Sequence, residues 1–230
     1  MPDETLGTVL VTGGASGLGA AVAAAVEAGG GTPVVLDLLP PRNGYAFRQV
    51  DLAKPREAET AVREVADEHG RLDAVVTAAG TDACGDILDV DGDAWDRVVA
   101  VNLLGTAAVV RAALPALERS RGRVVTVAST LGLRAVPAAT AYCASKFGVV
   151  GFTRALAAEL GDRVGVTLLV PGGMRTHFFD DRPESFKPAA DQHLNDPSDV
   201  ARTVVFALRQ PAGCELRELV VAPASEPSWP

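Results

Sequence analysis

The apolar run Val9-Leu10-Val11 passes directly into Thr12-Gly13-Gly14-Ala15-Ser16-Gly17-Leu18-Gly19, and Ala-rich sequence follows. A strand that ends in glycines and runs on into a helix builds a cradle for an anion. The first N–H groups of a helix have no partner within it and point outward, where the helix dipole favours negative charge. Glycines let the backbone turn sharply and approach a pyrophosphate closely, because no Cβ intervenes. The loop carries weight only if the rest of the chain alternates strand and helix in the same way.

It does. Strand signals lie at 8–12, 32–37, 46–50, 73–77, 123–127, 164–170 and 216–221, and helix signals at 17–28, 55–68, 94–118, 141–160 and 197–209. Several strands are near-continuous apolar runs, such as Val124-Val125-Thr126-Val127. That pattern belongs to parallel sheets covered on both faces. Alternation with short connections predicts right-handed crossovers and a Rossmann-like α/β fold. Its doubly wound parallel sheet has about seven strands, with helices on both faces. Pro55 and Pro197 suit first helical turns, with Asp196 as a cap before the second. Gly29-Gly30-Gly31 and Gly161 read as helix stops. No linker divides the 230 residues, so one domain spans 1–230, with a Pro-rich tail at 223–230. The long irregular stretch 172–196 is expected to be a mobile, exposed lid loop.

Composition serves mainly to exclude. With 48% hydrophobic residues, a net charge of −8 and no cluster of Lys and Arg, the sequence argues against nonspecific binding to nucleic acid or a membrane surface, which needs a basic face. Cys84, Cys143 and Cys214 are too scattered for a disulfide framework or a zinc site, so a reducing cytoplasm is the expected setting. The start, Met1-Pro2-Asp3-Glu4, lacks the basic residues of a secretion signal. Residues 5–26 are uncharged, but five glycines and several Thr and Ser lie among them, so no membrane helix is expected.

Asp37 closes the second strand, eighteen residues after Gly19. An acidic residue there accepts hydrogen bonds from adenosine ribose hydroxyls and repels the extra phosphate of NADP. The neighbouring Leu38 and the loop's Ser16 are not basic, so NAD(H) is expected over NADP(H), with Arg42 the one nearby cation against it. The plain alternative is a strand-end Asp that caps a turn. Asp51-Leu52 follows the third strand, where the Asp side chain reaches the adenine amino group or merely sits in a solvated turn.

The second half supplies Tyr142-Cys143-Ala144-Ser145-Lys146. Tyr and Lys four apart share one helix face. A nearby ammonium favours the phenolate and is expected to pull the Tyr pKa down from about 10, making a general acid or base for an alcohol/carbonyl pair. Alone, the pair equally describes a solvated helix face. Ser129, thirteen residues earlier, ends the fifth strand, where a hydroxyl orients a substrate oxygen at the ligand-binding edge of the sheet. Asn102 lies inside a helical segment; Asn is a poor interior helix residue, so it predicts a local bend and a bound water.

Taken together, these residues resemble the short-chain dehydrogenase/reductase family in its single-domain form, from about Thr8 to Val221. The matching features are the Thr-Gly-xxx-Gly-x-Gly loop at 12–19, Asn102, Ser129, the Tyr142/Lys146 pair, and Pro171-Gly172 followed by Thr176. The resemblance implies that Tyr142 exchanges a proton with the substrate oxygen and Ser129 bonds that oxygen. Lys146 would hold the nicotinamide ribose and lower the Tyr pKa, while Asn102 anchors a relay water and Thr176 contacts the carboxamide. Gly13, Ser16, Gly17, Leu18, Gly19, Asp37, Asp51, Leu52, Ala79, Gly80, Pro171 and Gly172 would line the rest of the cofactor site. Hydride would pass directly between nicotinamide and substrate carbon, with no metal. A homodimer or homotetramer is implied, since the family pairs its fourth and fifth helices between subunits.

Three positions depart from the family pattern. Thr77-Ala78-Ala79-Gly80 replaces Asn-Asn-Ala-Gly, which removes a sheet-bracing Asn. Thr130 replaces a small residue after Ser129. Val220-Val221-Ala222-Pro223 and a Pro-rich tail replace an Asp-Gly-Gly-like turn at the edge that helps build the oligomer.

Other features are set aside. Asp89, Asp91 and Asp93 lack the Gly and the closing acid of a calcium loop and read as helix caps. Trp95 reads as core, His69 as a helix-end surface residue and Cys143 as packed. His177 lies beside Thr176, within reach of substrate. Met174, Phe178, Phe179 and Phe186 suggest an apolar lid over an apolar or ring-containing alcohol or ketone, while Asp180, Asp181, Arg182, Glu184 and Lys187 make the same loop charged. The expected activity is NAD(H)-dependent interconversion of a secondary alcohol and a ketone, leaning towards oxidation. The alternatives are a non-catalytic dinucleotide-binding sensor or scaffold, and a related dehydratase or epimerase.

Overall fold

In the computed structural model, residues 5–180 and 182–229 are described. Met1 to Glu4, Asp181 of the 172–196 loop and Pro230 of the tail lie outside the described residues. The chain runs β1 (Thr8–Thr12), α1 (Gly17–Ala28), β2 (Thr32–Asp37), β3 (Ala46–Gln49), α2 (Pro55–His69), β4 (Ala74–Thr77) and α3 (Gly92–Val99). A π-helical segment at Ala100–Gly105 leads without a break into α4 (Thr106–Ser120). The remainder is β5 (Arg123–Val127), α5 (Thr140–Leu160), β6 (Gly165–Pro171), α6 (Pro197–Leu208) and β7 (Glu218–Val221).

The seven strands form one parallel sheet in the order β3-β2-β1-β4-β5-β6-β7. The order reverses between β1 and β4, and α/β sheets open a ligand crevice at that switch point. Alternation along each strand sorts the core into two layers. Val9, Val11, Val76 and Val125 face α1 and α6, where they meet Val22, Val26, Val200 and Val204. Leu10, Leu36, Val75 and Val124 face the other way, against Val62 and Val65 of α2, Val109 and Leu117 of α4, and Leu156 of α5. Leu10, Leu36, Leu117 and Leu169 are wholly buried, and each such side chain contributes roughly 1.5–3 kcal/mol.

Local chemistry explains the boundaries. Pro55 and Pro197 occupy first turns; Asp196 Oδ1 accepts the Ser198 N–H at 2.9 Å, and Asp91 Oδ2 accepts that of Ala94 at 3.1 Å. The uncharged segment 5–26 is the central strand β1 followed by α1. Gly92–Ser120 is long and apolar enough to cross a bilayer, but much of it is buried inside the fold: α4 is a core helix whose inner face packs on β4, β5 and α2. Trp95 corrects an expectation. It is half-buried, with its indole N–H donated to Thr140 Oγ1 at 3.1 Å, because α3 rides on the rim over α5 and not in the core.

Candidate active site

Loops leaving the C-terminal ends of the strands enclose a cleft of about 720 Å³. Every site residue expected from sequence lines it, except Gly19 and Asn102.

The glycine loop is shaped by backbone contact. Gly13 has φ +71°, and a Cβ there would lie 2.7 Å from Ala79 Cα. Gly19 works from behind the loop: its Cβ would sit 2.1 Å from the Gly13 carbonyl oxygen. Ser16 occupies the N-cap of α1 without a side-chain capping bond, so the first N–H groups of the helix are left for a ligand. Asp37 Oδ2 accepts the Ala15 N–H at 2.9 Å and Oδ1 that of Leu39 at 3.1 Å, which ties the end of β2 to the loop. Leu38 is 46% exposed, and Arg42 is exposed outside the lining. A cradle that only glycine can form, beside an open helix N-terminus, fits a dinucleotide pyrophosphate.

Asp51 is not a free turn residue. Arg97 of α3 pairs with it at 3.2 and 3.3 Å, and Oδ1 also accepts the Ala53 N–H at 3.0 Å. Burial raises its carboxyl pKa, but the Ala53 N–H, Arg97 and Lys54 together outweigh this and hold it below the usual carboxylate range. Leu52 beside it is 6% exposed. Arg97 carried no sequence signal; its partner is 46 positions away.

The bend expected at Asn102 is the π-helical segment. The extra residue in that turn swings Asn102 inward to 1% exposure. Its Oδ1 accepts the Thr81 N–H at 2.8 Å, and Nδ2 donates to Thr81 O at 2.9 Å and Ser145 Oγ at 3.0 Å. Asn102 thus pins the β4 exit to α5. Gly80 lies between it and Lys146: a Cβ there would be 3.6 Å from Asn102 Oδ1 and 3.7 Å from Lys146 Nζ. The departure at Thr77 leaves a trace, since Thr77 Oγ1 is buried with no hydrogen-bond partner among the described residues.

Ser129 leaves β5 with an extended backbone, its Oγ accepts the Leu131 N–H at 3.1 Å, and it is near enough to Tyr142 to lower that phenol's pKa. Lys146 is 4% exposed, donates to Val127 O at 2.9 Å, and holds Nζ 5.6 Å from the Tyr142 ring centroid. The pKa expectation is overturned. Burial pushes Tyr142 up to about 12, against the lowering effect of Ser129; Asp82 adds to the rise and Arg182 opposes it. Burial likewise brings Lys146 down to about 8. Both groups have left water for a poorly polarisable interior, which penalises the charged form of each.

Among the described residues of 172–196 none is buried, and the stretch is folded against the cleft. Short 3₁₀ turns at His177–Phe179 and Glu184–Phe186 interrupt it. Arg182 folds inward, pairs with the nearly buried Asp82 at 2.5 Å, and lies over the rings of Phe178 and Phe179 at 5.1 and 4.6 Å. Phe178 in turn meets Tyr142 at 5.7 Å. Thr176 caps the first 3₁₀ turn, while His177 is exposed and pairs with Asp180 at 2.7 Å. Cys84 also donates to Asp82, at 3.0 Å, and burial pushes its thiol up to about 12. Cys143 is buried. Glu226, Pro227 and Ser228 of the tail line the same cleft, an arrangement with no signal in a Pro-rich sequence.

A family model described as short chain dehydrogenase matches residues 7–186. The human (3R)-3-hydroxyacyl-CoA dehydrogenase is 33% identical over 233 residues, covering 89% of each chain. Among solved structures, the aldohexose dehydrogenase of Thermoplasma acidophilum superposes with a TM-score of 0.85 at 23% identity, over 94% of this chain and 92% of that one. The alcohol dehydrogenase of Thermococcus sibiricus, complexed with 5-hydroxy-NADP, gives 0.82 at 23% identity, over 93% and 95%. The two solved structures share the fold, and the family model with the human relative settles the family: the chain belongs to the short-chain dehydrogenase/reductase family and is an oxidoreductase that uses a nicotinamide dinucleotide on the CH–OH group of a small molecule.

Proposed function

We propose that this protein interconverts a secondary alcohol and a ketone with NAD(H), and that Tyr142 is its proton donor and acceptor. The observation that carries the reading is the meeting of Ser129, Tyr142 and Lys146 in one cleft with the glycine cradle. A bound nicotinamide dinucleotide supplies the hydride acceptor or donor. Gly13, Ser16, Gly17, Leu18 and Gly19 would hold its phosphates, Asp37 and Lys146 its riboses, and Asp51, Leu52, Ala79 and Gly80 its adenosine side. Pro171, Gly172 and Thr176 would hold its carboxamide.

Ser129 orients the substrate oxygen. In the reductive direction the phenol of Tyr142, held neutral by burial, hands its proton to that oxygen; in the oxidative direction it takes the proton back. Asn102 has one Oδ1 lone pair free of Thr81 and Ser145, which supports a water between it and Lys146 as the route to solvent. NAD(H) is preferred over NADP(H) because Asp37 faces the cleft and neither Leu38 nor Ser16 is basic. Phe178, Phe179, Phe186 and Leu194 support an apolar or ring-containing substrate under a lid formed by 172–196. One domain spans the chain in this reading. Exposed Leu104 and Phe147, beside α4 and on α5, support a homodimer or homotetramer, and the acidic charge and scattered thiols support a cytoplasmic enzyme that binds neither nucleic acid nor membrane.

The test is NAD(H)-linked absorbance change against a panel of secondary alcohols and ketones, with wild type and Tyr142→Phe in parallel. Turnover by wild type, reduced roughly 10²–10⁴-fold in the variant while NADH binding persists, is expected. Full activity of Tyr142→Phe sinks the mechanism.

A further inference from the structure

The C-terminal tail, one of the three departures from the family pattern, turns inward in the structure. Beyond β7 the chain makes two turns, Glu226 N–H to Pro223 O at 3.0 Å and Trp229 N–H to Glu226 O at 3.3 Å. They carry Glu226 and Ser228 into the wall of the cleft that holds Ser129 and Tyr142. Glu226 Oε2 accepts the Gly173 N–H at 2.7 Å, and Oε1 accepts the N–H and hydroxyl of Ser228 at 3.2 and 2.6 Å. Ser228, 9% exposed, also lies 2.7 Å from Thr130 Oγ1. A hydroxyl has one proton, and a carboxylate only accepts. The one Ser228 hydroxyl proton therefore serves either Glu226 Oε1 or Thr130 Oγ1, next to Ser129. Gly172 makes room for this: a Cβ there would lie 2.5 Å from Glu226 Oε2.

The charge balance of the cleft singles Glu226 out. Among the described residues, three carboxylates line it. Asp37 and Asp51 are at the end assigned to adenosine, and Asp51 is answered by Arg97. On the catalytic side Arg182 is answered by Asp82. Glu226 has no cationic partner among the described residues, and its Oε2 carries a single hydrogen bond. A carboxylate kept at a cleft wall without a cation, with a lone pair to spare, offers a place for a donor on a ligand and repels an anion.

We propose that Glu226 is a specificity-determining residue: its carboxylate takes a hydrogen bond from a second donor group on the substrate, a hydroxyl or an ammonium. This rests on the oxidoreductase reading above and narrows it. The substrate is an alcohol or ketone with an apolar body against Phe178, Phe179 and Leu194 and a donor group placed for Glu226. A carboxylate-bearing analogue is rejected. Thr130, which in the family pattern is a smaller residue, fastens the strap beside the catalytic Ser129.

Two dead-end probes of one shape test this without turnover: cyclohexylamine and cyclohexanecarboxylate, titrated calorimetrically into the full chain saturated with NADH. Wild type is expected to bind the amine at least about tenfold more tightly than the acid, and Glu226→Gln to lose that preference. The amide keeps an acceptor for Gly173, and the Ser228 hydroxyl can turn to accept from its NH2, so the strap gives up only the Ser228 N–H bond, the longest of the three, while the charge goes. Should Glu226→Gln fail to fold or to bind NADH, Glu226→Asp replaces it; the preference is then expected to persist, and its loss counts against the proposal. Equal binding, tighter binding of the acid, binding of neither probe by wild type, or a preference unchanged in Glu226→Gln overturns it. If wild type does not bind NADH, or turns over no alcohol or ketone, the oxidoreductase reading fails instead, a result the probe preference does not mimic.

Discussion

Gly19→Ala is the sharpest test of how the cleft is built. The added Cβ would lie 2.1 Å from the Gly13 carbonyl oxygen, 2.5 Å from Gly13 C and 3.0 Å from Gly14 N. All three are backbone atoms, so no side-chain rotation relieves the clash. Restoring ordinary contact requires the loop and the first turn of α1 to part by roughly 1.3 Å. Overpacking of that kind costs about 1–3 kcal/mol, which for a chain of this size lowers Tm by roughly 3–10 °C. The same movement draws the loop's N–H groups off the anion they cradle. Hydrogen bonds to a charged group are each worth about 1.5–3 kcal/mol, so NADH affinity should fall roughly ten- to a hundredfold or more. Thermal unfolding and NADH titration by fluorescence measure both effects. Gly92→Ala is the control: nothing lies within 4 Å of its Cβ, and both quantities should stay put. A Gly19→Ala variant that binds NADH within about twofold of wild type, at unchanged Tm, refutes the argument that backbone contact shapes the cradle.

Asp37→Ala should weaken NAD binding about tenfold and narrow the gap to NADP, measured as the ratio of the two dissociation constants; an unchanged ratio removes Asp37 from the ribose site. Thr77→Val should stabilise the protein by about 1 kcal/mol, seen as a higher urea midpoint, because it removes a buried hydroxyl without a partner while keeping its shape. Lys146 titrates near 8 in the folded chain and near 10.5 unfolded, so below pH 8 its burial penalty is fully present, and stability rises as pH climbs from 8 towards 10.5. Urea unfolding of wild type against Lys146→Met should therefore show wild type gaining roughly 1–2 kcal/mol on the variant between pH 7.5 and 9.5; parallel curves exclude a buried ammonium.

The sheet was legible because its information is local. Runs such as Val9-Leu10-Val11 set strand and burial together, and Pro55, Asp196 and Gly161 mark helix ends through their own backbone chemistry. Asn102 announced the π-helical turn by being a residue that an α-helix interior disfavours. What stayed hidden depends on contacts far apart in sequence. Asp82 and Arg182 are 100 positions apart, and Ser228 and Thr130 are 98, so neither periodicity nor spacing relates them. Trp95 was misread for a related reason: a large aromatic suits a core, but its N–H found Thr140 at the rim. The pKa of Tyr142 went astray because sequence gives the spacing of Tyr and Lys and says nothing of how deeply both are buried.

That last discrepancy bears on the chemistry. In a poorly polarisable site, a phenol raised to about 12 and an amine lowered to about 8 are two results of one cause: burial favours the uncharged form of each. Burial keeps Tyr142 protonated, so under the proposed mechanism the pair as it stands is set to give a proton in the reductive direction. Oxidation needs the phenolate, and therefore positive charge near Tyr142 that burial does not cancel. The fold already holds one such charge in Arg182, which opposes the rise, and one counterweight in Asp82, which adds to it. Arg182 belongs to the 172–196 stretch, while Asp82 is next to Thr81, on the β4 exit that Asn102 pins. Removing the Arg182 charge, as in Arg182→Met, is therefore expected to raise the proton affinity of Tyr142 further, and removing that of Asp82 to lower it.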